Sequence, residues 1–446
     1  MRLYKKKRCI DTISTIREAH REIVVHIMND EVSIAMELIE QCQQGVIAVG
    51  ELIDSEEGTG TEAVKMFEEY CELTFCIYED LNNKGVVDIE IIRGIDKLLE
   101  DVIQEIVNNI PTQKEIVFLP YIPSMWDSME CEWKKECEDG GAKVYVIPIP
   151  YYDKNTDGSV REIHYDIDKY PSYVNAIHYE KYDFEDRYPD KIYIHNPYDG
   201  INRVTSVLPF FYSDNLKKIT DDLIYVPYFV LGNINCNNET SLKNMEKFVL
   251  TPAVFNSHHI ILESDNMKEV YVKVLTQYMG NHTEDYWKNK IQGTGSSKLQ
   301  LMDKLKEKDY LLPDDWKELV VKSDGKMKKI VLYNTSIGAL LENGENMIKK
   351  ISSVMDFFYN NTEDVILLWR PHPLLESTIV SMRPELLDSY KKIKERYIDE
   401  GWGIYDDTPE LDRAIAVSDA YYGDNSSLVV MYQKTGKPIM IQNCNV

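Results

Sequence analysis

The sequence lacks any apolar run long enough to cross a bilayer. It also lacks an apolar segment behind its basic start. Residues 1–8 carry Arg2, Lys5, Lys6, Lys7 and Arg8, but Asp11, Arg17, Glu18 and Arg21 follow, so no secretory leader is expected. The eight cysteines are Cys9, Cys42, Cys71, Cys76, Cys131, Cys137, Cys236 and Cys444. None falls in a Cys-x-x-Cys pair, which argues against a zinc ribbon or a thioredoxin-like site. They read as free thiols in a reducing, cytoplasmic compartment. Basic charge is short: Lys+Arg is 50 against Asp+Glu 75, a net charge of −25. That excludes the broad basic field of a nucleic-acid binder, although a local anion site needs only a few residues. Phe (11) is scarce beside Tyr (30), whose apolar body and polar tip suit half-buried surfaces and clefts.

What is present is ordinary globular material: 446 residues, 43% hydrophobic and 28% charged. That suffices for two or three domains, each with its own core. Residues 1–112 form a helical module. Ile10, Ile13, Ile16, Ile23 and Ile27, then Ile34, Leu38, Ile39 and Val46, recur at helical spacing. Gly58-Thr59-Gly60-Thr61 and Asn82-Asn83-Lys84-Gly85 break the pattern, and Thr61 suits a helix cap. Three or four packed helices are expected, with a surface that serves a partner or an oligomer. His20 and His26 stand six apart and do not stack on one helix face, so no metal site is expected there.

At residue 115 the period changes. Residues 116–119, 144–149, 191–194, 223–226 and 259–263 read as strands. Helical stretches start at Ser124 and span residues 267–279, so residues 113–290 form an α/β domain. Residues 291–328 read as short helices and a basic connector carrying Lys298, Lys304, Lys306, Lys308, Lys317, Lys322, Lys326 and Lys328. Residues 329–446 repeat the α/β pattern, with strands at 329–333, 364–369, 403–405, 420–422 and 437–441. A long helix is expected up to about residue 400, and a shorter one from Thr408, with Thr408 as cap and Pro409 in its first turn. The fold class is α/β: two doubly wound parallel sheets behind an N-terminal α-helical bundle. A closing helix normally follows the last strand. The chain stops at Val446 without one, so it either ends unusually or is truncated.

Ligands of open parallel sheets bind beyond the carboxyl ends of the strands. Three clusters stand there: Asn334-Thr335-Ser336-Ile337-Gly338, Arg370-Pro371-His372-Pro373 and Gly423-Asp424-Asn425-Ser426-Ser427. A small-residue turn entering a helix offers backbone N–H groups and a positive dipole to phosphate. In that role Gly423, Asn425, Ser426 and Ser427 hold a donor phosphate; the competing role for Asn425 or Ser426 is a helix cap. Arg370 can grip phosphate bidentately, and His372 can act as a base or as a neutral donor. The competing role for His372 is a bond to a backbone carbonyl. The two clusters together make a pyrophosphate clamp that requires no metal. Thr408 and Glu410 follow another strand and suit a nucleoside site or, equally, a helix cap.

At these residues the sequence resembles the CDP-glycerol glycerophosphotransferase family, the bacterial teichoic-acid polymerases and primases. The resemblance spans residues 115–446. It rests on Arg370-Pro371-His372-Pro373, on Asp424-Asn425-Ser426-Ser427, and on Gly436-Lys437-Pro438-Ile439. Further matching blocks are Tyr121-Ile122-Pro123-Ser124-Met125-Trp126-Asp127-Ser128, residues 147–153, Ile194-His195-Asn196-Pro197-Tyr198-Asp199 and Pro209-Phe210-Phe211-Tyr212.

The resemblance implies a GT-B arrangement, with two Rossmann-like domains facing across a cleft. It implies transfer of glycerol phosphate from CDP-glycerol to a hydroxyl of a cell-envelope polymer, with release of CMP and no cofactor. It puts His372 in the active site, with Arg370, Ser426, Ser427 and Lys437 on the donor phosphates. The family's Trp-His-Gly motif is missing; the nearest substitute is His195, whose Nε2 would then face His372. Asn196, Tyr198 and Asp199 would stand on the acceptor side. The family is peripheral to the inner face of the membrane, and here residues 1–8 and the lysines of 298–329 would have to serve against a net charge of −25. Two other functions fit the same residues: a GT-B glycosyltransferase using a nucleotide-diphosphate sugar, and a non-catalytic binding or scaffold protein.

Overall fold

Four helices open the chain: α1 (Leu3–Met28), α2 (Val32–Glu57), α3 (Glu62–Lys84) and α4 (Ile89–Asn109). The computed structural model describes residues 1–305, 310–322, 324–442 and 444. Thr61 caps α3 as expected, its Oγ1 accepting the Val64 N–H. Such a cap contributes about 1 kcal/mol. Gly85 closes α3 at φ 70°, and Asp88 caps α4 by accepting the Glu90 N–H. The break between α1 and α2 falls at Asn29-Asp30-Glu31, where Asp30 takes φ 63°. The apolar period continues across this turn, so periodicity alone does not reveal it. Ile13, Ile23, Val46, Ile53, Leu99 and Val102 form the bundle core. His20 is buried there, with Nε2 2.7 Å from the Tyr70 hydroxyl, while His26 meets Glu31. Residues 1–115 and 186–190 make up one compact unit, and the rest of the chain makes up a second.

The second unit contains two parallel sheets and a small antiparallel one. The strands are β1 (Lys114–Leu119), β2 (Ala142–Val146), β3 (Tyr151–Lys154), β4 (Val160–His164), β5 (Lys191–Ile194), β6 (Thr205–Val207) and β7 (Asp222–Tyr225). They continue with β8 (His259–Ile261), β9 (Ile291–Gln292), β10 (Lys329–Thr335), β11 (Val365–Pro371), β12 (Ile404–Tyr405), β13 (Ala420–Gly423) and β14 (Ile439–Ile441). The first sheet runs β2-β1-β5-β7-β8-β9 and the second β12-β11-β10-β13-β14. Neighbouring strands within both pair in parallel, for example Ile116↔Lys191 and Leu332↔Leu368. Parallel strands are buried on both faces, which explains their continuous Ile, Val and Leu runs. Two Rossmann-like halves in a GT-B arrangement are therefore the fold of this unit.

The differences from the sequence expectation are local. β3, β4 and β6 form an antiparallel sheet, β4-β3-β6, that the sequence reading omits. Its turn carries Asp157-Gly158, a common hairpin pair, with Gly158 at φ 86°. The stretch from Ser124 opens as a 3-10 turn, Pro123–Ser128, before the helix Glu130–Asp139. The long helix after β11 is two helices, Leu375–Met382 and Leu387–Glu400, parted at Arg383-Pro384 because proline cannot donate within a helix. Residues 291–328 hold two short helices, Ser297–Asp303 and Asp314–Val320. β9 forms the edge of the first sheet, and Leu301, Met302, Trp316 and Val320 pack into the core beneath the second. Lys298 is buried on Asp127 at 2.7 Å, and Lys317, Lys322, Lys326 and Lys329 pair with Asp314, Asp364, Asp324 and Asp419. Five lysines of residues 298–329 are thus paired with aspartates. Lys306 and Lys308 lie outside the described residues. Among the described residues no helix is long and apolar enough to cross a membrane.

Candidate active site

β11 extends two residues further than expected and carries Arg370 and Pro371 within the strand. Its carboxyl end opens on a cavity of about 370 Å³ lined by both α/β halves. Arg370, His372, Ser377 and Lys394 come from the second half, and Asp153 and His164 from the β3–β4 hairpin of the first.

Arg370 is buried and already oriented. Its Nη1 donates to Asp406 Oδ2, and its Nη2 donates to the Thr408 carbonyl at 2.6 Å. A guanidinium has five N–H donors, and these two bonds use two of them. His372 is half-buried. Its Nδ1 accepts the Leu374 N–H at 3.1 Å, and its backbone N–H donates to the Thr335 carbonyl. In a neutral ring the proton therefore sits on Nε2. Burial, helped by the Lys298 ammonium, lowers its pKa to about 4. At neutral pH His372 is an uncharged donor through Nε2, and its one lone pair is already occupied. Of the two roles that the sequence allows it, this geometry suits the donor.

His195 is fully buried at the end of β5, and it does not line this cavity. Its Nε2 accepts the Tyr121 N–H at 3.2 Å, so its Nδ1–H points to Ser128 Oγ at 3.1 Å, and Ser128 donates onward to the Met125 carbonyl. Burial, with the Lys298 charge behind it, lowers its pKa to about 3. Both ring nitrogens are used, so the expectation that Nε2 faces His372 is corrected: His195 ties the 121–128 segment to the strand. The neighbouring acceptor-side residues are also internal. Asn196 accepts the Tyr198 N–H at 3.2 Å. Asp199 accepts the N–H and hydroxyl of Ser213, and burial raises its pKa to about 6. None of Asn196, Tyr198 and Asp199 lines the cavity.

The turn after β13 is likewise closed on itself. Asp424 Oδ1 receives the buried Lys350 Nζ at 2.7 Å, and Oδ2 receives the Ser336 N–H at 2.6 Å. Ser426 caps the helix Ser427–Gln433 by accepting the Leu428 N–H, and it donates to Asn334 Oδ1. Gly423 is required by close approach: at φ 141° an added Cβ would stand 2.3 Å from the Asn334 carbonyl oxygen. Gly423, Asn425, Ser426 and Ser427 do not line the cavity, which corrects their grouping with Arg370. Lys437 is corrected as well. Its Nζ donates to the carbonyls of Ile415, Ala416 and Ser418 and so caps the end of the helix Leu411–Val417. Thr408 lines the cavity, but it is not that helix's cap. Its hydroxyl donates to Asp406 Oδ1 at 2.6 Å, and Glu410, which is exposed and pairs with Arg413, occupies the cap position.

The residues missed from the sequence are those of the hairpin. Asp153 is buried, and its Oδ2 accepts from Arg161, from Ser377 Oγ at 2.9 Å and from His164 Nε2 at 3.3 Å. The His164 ring stacks on Tyr151 with centroids 4.8 Å apart. The Asp157-Gly158 turn was the available signal. Asp153, Glu162 and His164 bring three ligand-type atoms within 4.8 Å of one another, but the Arg161 guanidinium already occupies Asp153 Oδ2, so the group does not fit a cation. The cavity's other cations are paired too: Lys169 with Asp166 and Lys394 with Glu376.

No family model matches the sequence, and no curated protein matches it. Solved structures do. A UDP complex of MnaA from S. aureus is similar at 11% identity and TM-score 0.42, covering 74% of this chain and 79% of that one. A UDP-N-acetylglucosamine 2-epimerase structure from Listeria monocytogenes, described as putative, is similar at 13% identity and TM-score 0.44, covering 74% and 79%. A glycosyltransferase from Rickettsia africae is similar at 10% identity and TM-score 0.37, covering 74% and 79%. At these values the likeness says nothing about chemistry, which rests on the residues above.

Proposed function

We propose that this chain is a group-transfer enzyme that opens a nucleotide-diphosphate donor in the cavity between its two α/β halves. The finer reading is transfer of glycerol phosphate from CDP-glycerol to a hydroxyl of a cell-envelope polymer, such as a teichoic acid. The observation that supports it is the carboxyl end of β11. There a preoriented guanidinium, Arg370, and a neutral imidazole donor, His372, line one cavity.

In this reading the acceptor oxygen attacks the glycerol-bearing phosphorus in line. The new P–O bond forms as the P–O bond to CMP breaks, and that electron pair leaves on the CMP phosphate. Arg370 and His372 Nε2–H donate to the oxygens where negative charge grows. Donors held in place before the reaction need no reorganisation during it, and losing one such donor costs about 10²–10³ in rate. A pyrophosphate donor also needs no nucleophile on the protein.

One observation favours the second reading, a nucleotide-diphosphate sugar as donor. In the Asp424-Asn425-Ser426-Ser427 turn, part of what makes the sequence resemble glycerophosphotransferases, the Asp424 and Ser426 side chains bond within the protein. A donor panel separates the two. Purified protein is given CDP-glycerol, CDP-ribitol and UDP-glucose, with a lipid-linked glycan extract as acceptor, and nucleotide release is followed. CMP release from CDP-glycerol alone supports the first reading, and UDP release alone the second. Silence with every donor removes both and leaves a binding or scaffold role.

A further inference from the structure

We propose that His164, held by Asp153, is the general base that takes the proton from the acceptor hydroxyl. The proposal rests on the transferase reading above. Of the nine histidines in the chain, two line the cavity, His372 and His164. His372 has its lone pair committed to the Leu374 N–H. His195 is buried with both nitrogens bonded. His164 differs from both.

The local geometry sets its tautomer. His164 Nε2 lies 3.3 Å from Asp153 Oδ2 and 3.9 Å from Glu162 Oε2. Two carboxylates beside one nitrogen require a donor there, so the neutral ring carries its proton on Nε2 and its lone pair on Nδ1. Among the described residues no hydrogen bond engages Nδ1, and the side chain keeps 24% of its exposure at the cavity wall. Stacking on Tyr151 fixes the ring plane. Asp153 is itself fixed, because Arg161 and Ser377 donate to the same oxygen. Carboxylate, imidazole and open lone pair thus follow one another from the protein interior to the cavity, the order that a general base needs.

The step balances. The acceptor O–H bond breaks and its proton moves to His164 Nδ1. The acceptor oxygen forms its bond to phosphorus, the P–O bond to CMP breaks, and CMP carries away the electron pair. The imidazolium that forms lies against Asp153, Glu162 and the Tyr151 face, with Arg161, on the same Asp153 oxygen, the nearby like charge. The same residues would serve a nucleotide-sugar donor, because the acceptor half of the reaction is unchanged.

The test uses the full chain. H164Q keeps a polar side chain but cannot take the proton. Acceptor-dependent nucleotide release should fall about 10²–10⁴-fold in kcat, with the donor KM and the melting temperature held. The acid limb of the wild-type pH–rate profile should disappear. H282Q, at an exposed position outside the cavity, is the control and should match wild type. D153N removes the positioning carboxylate and should shift that limb without reproducing the full H164Q loss. Heteronuclear NMR of the imidazole gives a readout independent of turnover: the proton should be on Nε2. A proton on Nδ1, or an unchanged kcat in H164Q beside an active wild type, overturns the proposal. Silence of the wild type with every donor overturns the transferase reading itself, and no variant is needed to see it.

Discussion

Two turns leave the same sheet at strand ends on either side of β10, one after β11 and one after β13. By position both are candidates for a phosphate. After β11, Arg370 and His372 line the cavity. After β13, Asp424 is neutralised by Lys350 and Ser426 is spent on a helix cap and on Asn334. The first sheet shows the same contrast. At the end of β5 His195 has both nitrogens bonded, while His164, on a hairpin, keeps one lone pair open. A strand end puts a residue where a ligand can come. Whether the residue is free to act depends on partners tens of residues away in the chain.

The comparison can be broken at several points. The largest expected effect is at Asp424. D424A leaves the Lys350 ammonium buried without its partner, and unfolding free energy should drop by about 3–5 kcal/mol in a denaturant titration. Loss of turnover in a variant that melts like wild type would instead return this turn to the active site. H372A should act the other way. It removes a donor at the cavity, so nucleotide release should fall about 10²–10³-fold, about 2.7–4 kcal/mol in barrier, with the melt unchanged. Retained turnover in H372A takes His372 out of the mechanism.

A smaller effect concerns His195. Burial holds its folded pKa at about 3, below the ordinary histidine value of 6.5. The unfolded state therefore binds the extra proton between these values, and stability is lost as pH falls from about 6.5 towards 3. The slope from one such group is at most about 1.4 kcal/mol per pH unit. H195Q should flatten the stability–pH curve in that window. An unchanged curve would mean that the ring is not held neutral. The smallest effect is at Ser426. S426A loses a cap worth about 1 kcal/mol and should leave nucleotide release alone. A tenfold loss of turnover there would argue for phosphate contact.

Much of the fold was legible. The Ile, Val and Leu runs of β1, β5, β7, β10 and β11 announce buried parallel strands, and Thr61 marks the start of α3 through its own side chain. The hairpin was not read, because β4 is exposed along most of its length and lacks an apolar run. The edge strand β9, two residues long, is too short to carry a period. For the site, Arg370 and His372 were visible because position and residue type coincide. His164 was not, because its partner Asp153 lies across a turn and its cavity is closed by the other half of the unit.

Composition, period and punctuation determined the class of this protein: a helical module followed by two parallel α/β halves, acidic overall. Those features are local, set by which faces must leave water and by which residues can end a helix. The roles of the polar residues were decided only by the tertiary structure. Lys298 looked like surface charge and is buried on Asp127; Lys437 looked like a phosphate ligand and caps a helix. A polar atom acts on a ligand only if no protein group has already satisfied it, and those groups meet only when the chain is folded.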